Sequence, residues 1–118
     1  MSMSPAEEGE TRQAPVRRLL VINPNTNPAV SRGIGAAAAA VAGPGTAVTV
    51  VNPATGPLSI ETDADRALAV PSVVGLVREN LPRGFDAYVL GCFDDIGLFE
   101  ARALAGVPVV GPCEAGIA

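Results

Sequence analysis

Hydrophobic and polar positions along the chain alternate between short apolar runs and longer segments of helical spacing. Val16 to Ile22 (VRRLLVI) ends fully apolar, Ala47 to Val51 (AVTVV) is a second run, Ala87 to Leu90 (AYVL) a third and Val107 to Val110 a fourth. Short apolar runs bounded by turn residues are the pattern of strands buried on both faces. Between the first two lies an Ala-rich segment that starts at Pro28, with Asn27 as N-cap, and stops at Gly43-Pro44-Gly45. Pro at the first helical position and Gly past the last are helix start and stop signals. Thr62 or Asp63 caps a second helix, which Pro71 is expected to break or kink into 63–70 and 72–80. Leu81 to Phe85 turns the chain into the third strand, and a third helix runs from about Gly97 to Leu104 and ends near Gly106. The order is βαβαβαβ. Right-handed crossovers make this an α/β fold with a doubly wound, flavodoxin-like parallel sheet of four strands.

Residues 1–15 are polar and acidic and are expected to form a disordered leader, leaving 16–118 as one α/β domain. The chain stops at Ala118, where a fourth helix would begin, so a fragment is expected rather than a short C-terminus.

Composition narrows the chemistry. The net charge is −4 and the eight basic residues are scattered arginines, which argues against nucleic-acid binding. No apolar stretch is long enough to span a bilayer or resembles a secretory signal, so a cytoplasmic protein with reduced thiols is expected, rather than a Cys92–Cys113 disulfide. With no His and no Lys, Ser-His-Asp and Cys-His pairs, Schiff-base enzymes and Walker A loops cannot be built from this chain. Two cysteines without His make structural zinc implausible. Acid–base work falls to Cys, Asp, Glu and Tyr.

Open α/β sheets carry their chemistry at the carboxyl ends of the strands. Cys92 follows the third strand there, in Leu90-Gly91-Cys92-Phe93-Asp94-Asp95, ahead of a helix whose positive end favours thiolate. It is either such a thiol or a small buried packing residue. Asp94 and Asp95 are expected to cap the helix. Asn23-Pro24-Asn25-Thr26 follows the first strand and is either an anion or carbonyl site at a helix N-terminus or plain turn chemistry. Asn52 and Thr55 hold the equivalent place after the second strand. Cys113 follows the fourth and is either a second site residue or, the favoured reading, a small packing residue after Pro112; Glu61, Glu100 and Glu114 read as surface charges, Glu100 most plainly. Gly33-Ile34-Gly35-Ala36-Ala37-Ala38 matches a loose dinucleotide pattern, but it falls inside the first helix and reads as small residues for close helix–sheet packing.

Together these motifs resemble the Asp/Glu/hydantoin racemase superfamily, most closely its hydantoin and allantoin racemase branch. The matching stretches are LLVINPNTN (Leu19 to Asn27), NPATGPLSIE (Asn52 to Glu61) and LGCFDDIGLFEARALAGVPVVGPCEA (Leu90 to Ala115), in the family's order. The resemblance implies two similar α/β lobes with a cofactor-independent active site between them. It implies two cysteines, one per lobe, that move a proton across the stereocentre of a small-molecule substrate such as a hydantoin, allantoin or another amino-acid derivative. Cys92 matches the first-lobe cysteine, and Asn23, Asn25 and Thr26 match the substrate-holding loop. Cys113 does not match the second cysteine. Backbone N–H groups around Phe93 and Asp94, and near Asn25 and Thr26, are the expected donors to the developing enolate oxygen. With one lobe present, the chain alone is expected to be inactive or nearly so, and either to form a homo-oligomer or to need a second lobe. The other readings are a malonate-type decarboxylase of the same superfamily and a non-catalytic small-molecule-binding lobe.

Overall fold

The computed structural model describes residues 17–91 and 95–112. Within them the elements are β1 (Arg17–Ile22), α1 (Pro28–Val41), β2 (Thr46–Val51), α2 (Asp63–Asn80), a 3₁₀ turn (Leu81–Arg83), β3 (Ala87–Leu90), α3 (Leu98–Ala105) and β4 (Val109–Val110). All strand pairs are parallel, in the spatial order β2-β1-β3-β4. The chain therefore steps outward from β1 to β2, then crosses back to β3 on the other side of β1. That reversal is the switch point of a doubly wound sheet.

Register sorts the side chains by face. Leu20 pairs with Tyr88 and Ile22 with Leu90, while Tyr88 pairs with Val109. This set faces α2 and α3 and forms the core with Ala69, Val73, Val77, Ala101 and Ala105. Full burial of each branched aliphatic contributes roughly 1.5–3 kcal/mol. The alternate set, including Val21, Val50 and Gly91, faces α1. Helix α1 has no fully buried residue. Its small side chains allow close approach instead: a Cβ on Gly35 would lie 3.5 Å from Val50 Cγ2, whereas one on Gly33 would meet nothing within 4 Å. The glycines of the loose dinucleotide pattern thus sit inside a helix, one of them packed on the sheet.

Most predicted boundaries hold to within a residue, including the Asn27 cap on α1, whose side chain accepts from Ala29 N. Helix α2 is a correction. It runs unbroken through Pro71. Pro71 and Ala67 are both exposed, so the carbonyl that loses its bond has access to water. The buried stripe Ala69, Val73, Val77 and Asn80 continues on both sides of the proline, and tertiary packing holds the helix together there. Strand β4 is also shorter than expected. Pro108 has no N–H to give, although its carbonyl accepts from Tyr88 N at 2.9 Å.

Glycine is required at the start of α3. Gly97, the N-cap, has φ +80°, and a Cβ there would lie 2.9 Å from Val73 Cγ1. The β3–α3 turn is thereby pressed against the middle of α2.

The start of α2 is a reciprocal cap. Thr62 Oγ1 accepts from Asp65 N at 3.0 Å, and Asp65 Oδ2 accepts from Thr62 N at 3.1 Å and Glu61 N at 3.0 Å. The bond from Glu61 N is the main reason the Asp65 carboxyl titrates below the ordinary aspartate value, with Thr62 and Arg66 adding to it. A carboxylate with a lowered folded pKa stabilises the fold above its unfolded pKa, and that contribution disappears as pH falls through the folded value. Asp65→Asn is therefore expected to lower the melting temperature at pH 7 and to converge with the wild type as pH falls below the ordinary aspartate pKa. Thermal melts across pH 2–7, read by circular dichroism, check this.

Candidate active site

The carboxyl end of β1 opens into a turn built from asparagine side chains. Asn23 is 1% exposed, a buried amide that must be hydrogen-bonded. Its Oδ1 accepts from Asn25 N at 3.2 Å, which fixes the amide's orientation. Its Nδ2 donates to Asn25 Oδ1 at 2.9 Å and to Ser31 Oγ at 3.1 Å. Asn25 Oδ1 also accepts from Asn27 N at 2.9 Å, and Asn27 Oδ1 accepts from Ala29 N at 3.0 Å as the α1 cap. Repeated side-chain-to-backbone bonds of this kind are why Asn recurs at every second position of the loop.

The loop is tied to the one after β2. Thr26 N donates to Pro57 O at 3.0 Å, and Thr26 Oγ1 lies 3.3 Å from the same carbonyl. Ser31 Oγ donates to Asn52 Oδ1 at 2.6 Å, and Asn52 Nδ2 donates to Pro53 O at 2.9 Å. The expected use of the Asn25 and Thr26 backbone N–H groups as enolate donors is thereby corrected. Both are already engaged, the first by Asn23 Oδ1 and the second by Pro57 O. The amide nitrogens of this loop without a partner among the described residues are Asn25 Nδ2 and Asn27 Nδ2; Asn25 is the one whose oxygen is held by two donors.

On the neighbouring strand, Gly91 N donates to Ile22 O at 2.7 Å, carrying the β3–β1 ladder one residue past Leu90. A Cβ on Gly91 would sit 3.1 Å from that carbonyl and 3.2 Å from Ile34 Cδ1, so the glycine lets the strand end lie close under α1. Cys92, Phe93 and Asp94 follow, and these three, with Cys113 and Glu114, lie outside the described residues. Asp95 does cap α3, but with its backbone: Leu98 N donates to Asp95 O at 3.1 Å. Its φ of +53° is left-handed, which aspartate tolerates better than most residues. Its carboxyl group instead rests against Gly111, where any side chain would overlap it. The bond to α3 seen at this position is thus made by the Asp95 carbonyl.

The structure brings Asn23, Asn25, Thr26 and Asn52 into one cluster at the sheet edge. Thr55 lines an open groove of about 260 Å³ with Ser72, Gly75 and Glu79 of α2. Glu61 and Glu100 are exposed, as surface charges should be. Burial of Tyr88, 1% exposed in the core, raises its phenol pKa and takes it out of acid–base work near neutrality. Sequence reasoning missed Ser31. Its signal is a hydroxyl four positions past Asn27, in the first turn of a helix whose one other polar residue is Arg32. Among the described residues no three Cys, Asp or Glu side chains gather as a metal would need, and no helix is long and apolar enough to cross a membrane.

The profile of the Asp/Glu/Hydantoin racemase family matches residues 19–118. The chain belongs to that family. It is 39% identical over 100 residues to the hydantoin racemase of Pseudomonas sp. (strain NS671), a match over 85% of this chain and 40% of that protein. It is 43% identical over 104 residues to the hydantoin racemase of Paenarthrobacter aurescens, covering 85% of this chain and 43% of the relative. Among solved structures, allantoin racemase from Klebsiella pneumoniae superposes with a TM-score of 0.78 and 46% identity, covering 80% of this chain and 39% of that one. Allantoin racemase from Pseudomonas fluorescens gives 0.75 and 33%, over 80% and 40%. The chain thus spans about two fifths of the length of these racemase-family relatives.

The two loop asparagines differ in burial and bonding, and aspartate separates them. Asn23→Asp puts a buried carboxylate where two protons are donated, and is expected to cost about 3 kcal/mol or more. Asn25→Asp keeps both acceptor bonds near a helix N-terminus and is expected to stay within about 1 kcal/mol of wild type. Urea unfolding of both variants measures the difference.

Proposed function

We propose that residues 16–118 form one lobe of a cofactor-independent racemase of amino-acid derivatives, of hydantoin or allantoin type. Cys92 is one of its two proton-transferring thiols. The observation that carries this reading is the bond from Gly91 N to Ile22 O. It holds the residue preceding Cys92 at the same sheet edge as the Asn23–Thr26 loop, within a region whose relatives are named hydantoin and allantoin racemases.

Racemisation at a carbon next to a carbonyl needs a base on one face, an acid on the other and a donor to the oxygen that gains charge. In this scheme the Cys92 thiolate takes the α proton, the C–H pair moves into the enolate, and a thiol of a second lobe protonates the opposite face. Asn25 Nδ2 is the donor we assign to the carbonyl or enolate oxygen, with Thr26 lining the same loop. Phe93 and Asp94 remain proposed contacts through their backbone N–H groups. Asn23 holds the loop rather than the substrate, because both ends of its amide are engaged. The scheme uses no cofactor. A chain with one of the two thiols exchanges a proton but does not carry it across the stereocentre. We place the protein in the cytoplasm, where thiols stay reduced, working with a second lobe or a second copy.

Alkylation tests the assignment. Cys92 is expected to react with iodoacetamide within minutes near pH 7.5 and to be protected by 5-methylhydantoin or allantoin, while Cys113 is not protected. Peptide mass spectrometry reads both sites. A slow, unprotected Cys92 supports a non-catalytic binding lobe instead.

A further inference from the structure

Ser31 and Asn52 lie outside the residues that the resemblance assigns to substrate, yet they complete a hydrogen-bond chain that ends on one that it does. Each link has a fixed direction. Asn52 Nδ2 donates to Pro53 O, which leaves Asn52 Oδ1 as an acceptor. Ser31 has one hydroxyl proton, and it goes to that oxygen at 2.6 Å, so Ser31 Oγ can only accept on its other side. It accepts from Asn23 Nδ2 at 3.1 Å. The second Nδ2 proton of Asn23 goes to Asn25 Oδ1 at 2.9 Å, and Asn25 N returns a bond to Asn23 Oδ1 at 3.2 Å. Asn25 Oδ1 takes a further bond from Asn27 N at 2.9 Å.

The Asn25 amide is therefore held at its oxygen by two donors, with its NH₂ group left over. Two bonds into an amide oxygen draw charge toward it and make the attached N–H groups stronger donors, since hydrogen bonds in series polarise one another. We infer that Ser31, backed by Asn52, is a positioning residue. It fixes the Asn23 amide so that Asn25 presents its NH₂, oriented and polarised, to a carbonyl or carboxylate oxygen of the substrate. The inference rests on the reading of this loop as the substrate loop. It goes beyond that reading by placing the control of the donor one turn into α1 and across on the β2 loop. Ser31 does not touch the substrate in this scheme. It acts through Asn23.

The test is a titration of the ¹⁵N-labelled chain with 5-methylhydantoin and with allantoin, following the Asn25 side-chain NH₂ signals. In the wild type these signals are expected to shift on titration. Ser31→Ala is expected to weaken the binding curve roughly three- to tenfold, the worth of one lost hydrogen bond, with the backbone spectrum still dispersed. Ser31→Thr, which keeps the hydroxyl, is expected to restore binding to within about twofold of wild type. Asn52→Ala removes the acceptor without touching α1 and is expected to move the Asn25 signals in the same direction as Ser31→Ala. It carries the test if Ser31→Ala does not fold. Binding by these variants equal to wild type, with unmoved Asn25 signals, overturns the inference and leaves the substrate-loop reading intact. So does a loss of binding that Ser31→Thr fails to restore. Wild-type Asn25 signals that respond to neither probe overturn the reading of the loop and the inference with it.

Discussion

The parallel pairing of β1 with β3 is the constraint on which the rest depends. These strands are far apart in sequence, and between them the chain forms α1, β2 and α2 before returning. Register then sets Leu20 beside Tyr88 and Ile22 beside Leu90, so one face of the pair anchors the core. The same register brings Gly91 level with the end of β1, at the mouth of the Asn23–Thr26 loop. A slip of one residue would turn Tyr88 and Leu90 out of the core and move the end of β3 away from that loop. Stability and site geometry share this pairing.

Around it, polar groups do the local work. The loop after β1 has no regular structure, so its backbone donors are satisfied one by one: Thr26 N by the Pro57 carbonyl, Asn25 N and Asn27 N by side chains. Asn23, Asn25 and Asn27 do this in series, and Thr26, Ser31 and Asn52 join the result to the loop after β2. On the other side of β3, the left-handed Asp95 turns its carbonyl to α3 and its carboxyl to Gly111, joining the turn after β3 to the end of β4. The sheet edge is thus linked across all four strands. A catalytic site of the kind proposed would depend on such support.

Much of the fold was legible because each apolar run matched one strand and each helix carried its own stop signal. Asn27-Pro28 opened α1, Gly106 closed α3, and both hold in the structure. Pro71 misled because a local rule cannot see that the carbonyl it frees faces water while Val73 and Val77 stay packed. At the candidate site, residue types pointed to the loop after β1, which the structure shows to be tied together by its asparagine side chains, and the racemase-family resemblance suggested the role proposed for it. The division of labour within the loop was not legible. Whether an amide nitrogen or a backbone N–H is free depends on which partner reaches it first, and Ser31 and Pro57 come from other parts of the chain. Nothing in the local sequence of Asn25 announces that its NH₂ is left over.

The central claim is that this lobe carries one base of a two-base racemase site. Hydrogen–deuterium exchange at the stereocentre tests it most directly. Each enantiomer of a 5-substituted hydantoin is incubated with the chain in D₂O, and deuterium uptake and optical rotation are followed together against a protein-free control. The account predicts that one enantiomer takes up deuterium faster than the control with its configuration retained, and that Cys92→Ser abolishes the excess. Uptake no faster than the control for either enantiomer, or inversion catalysed by this chain alone, would contradict it.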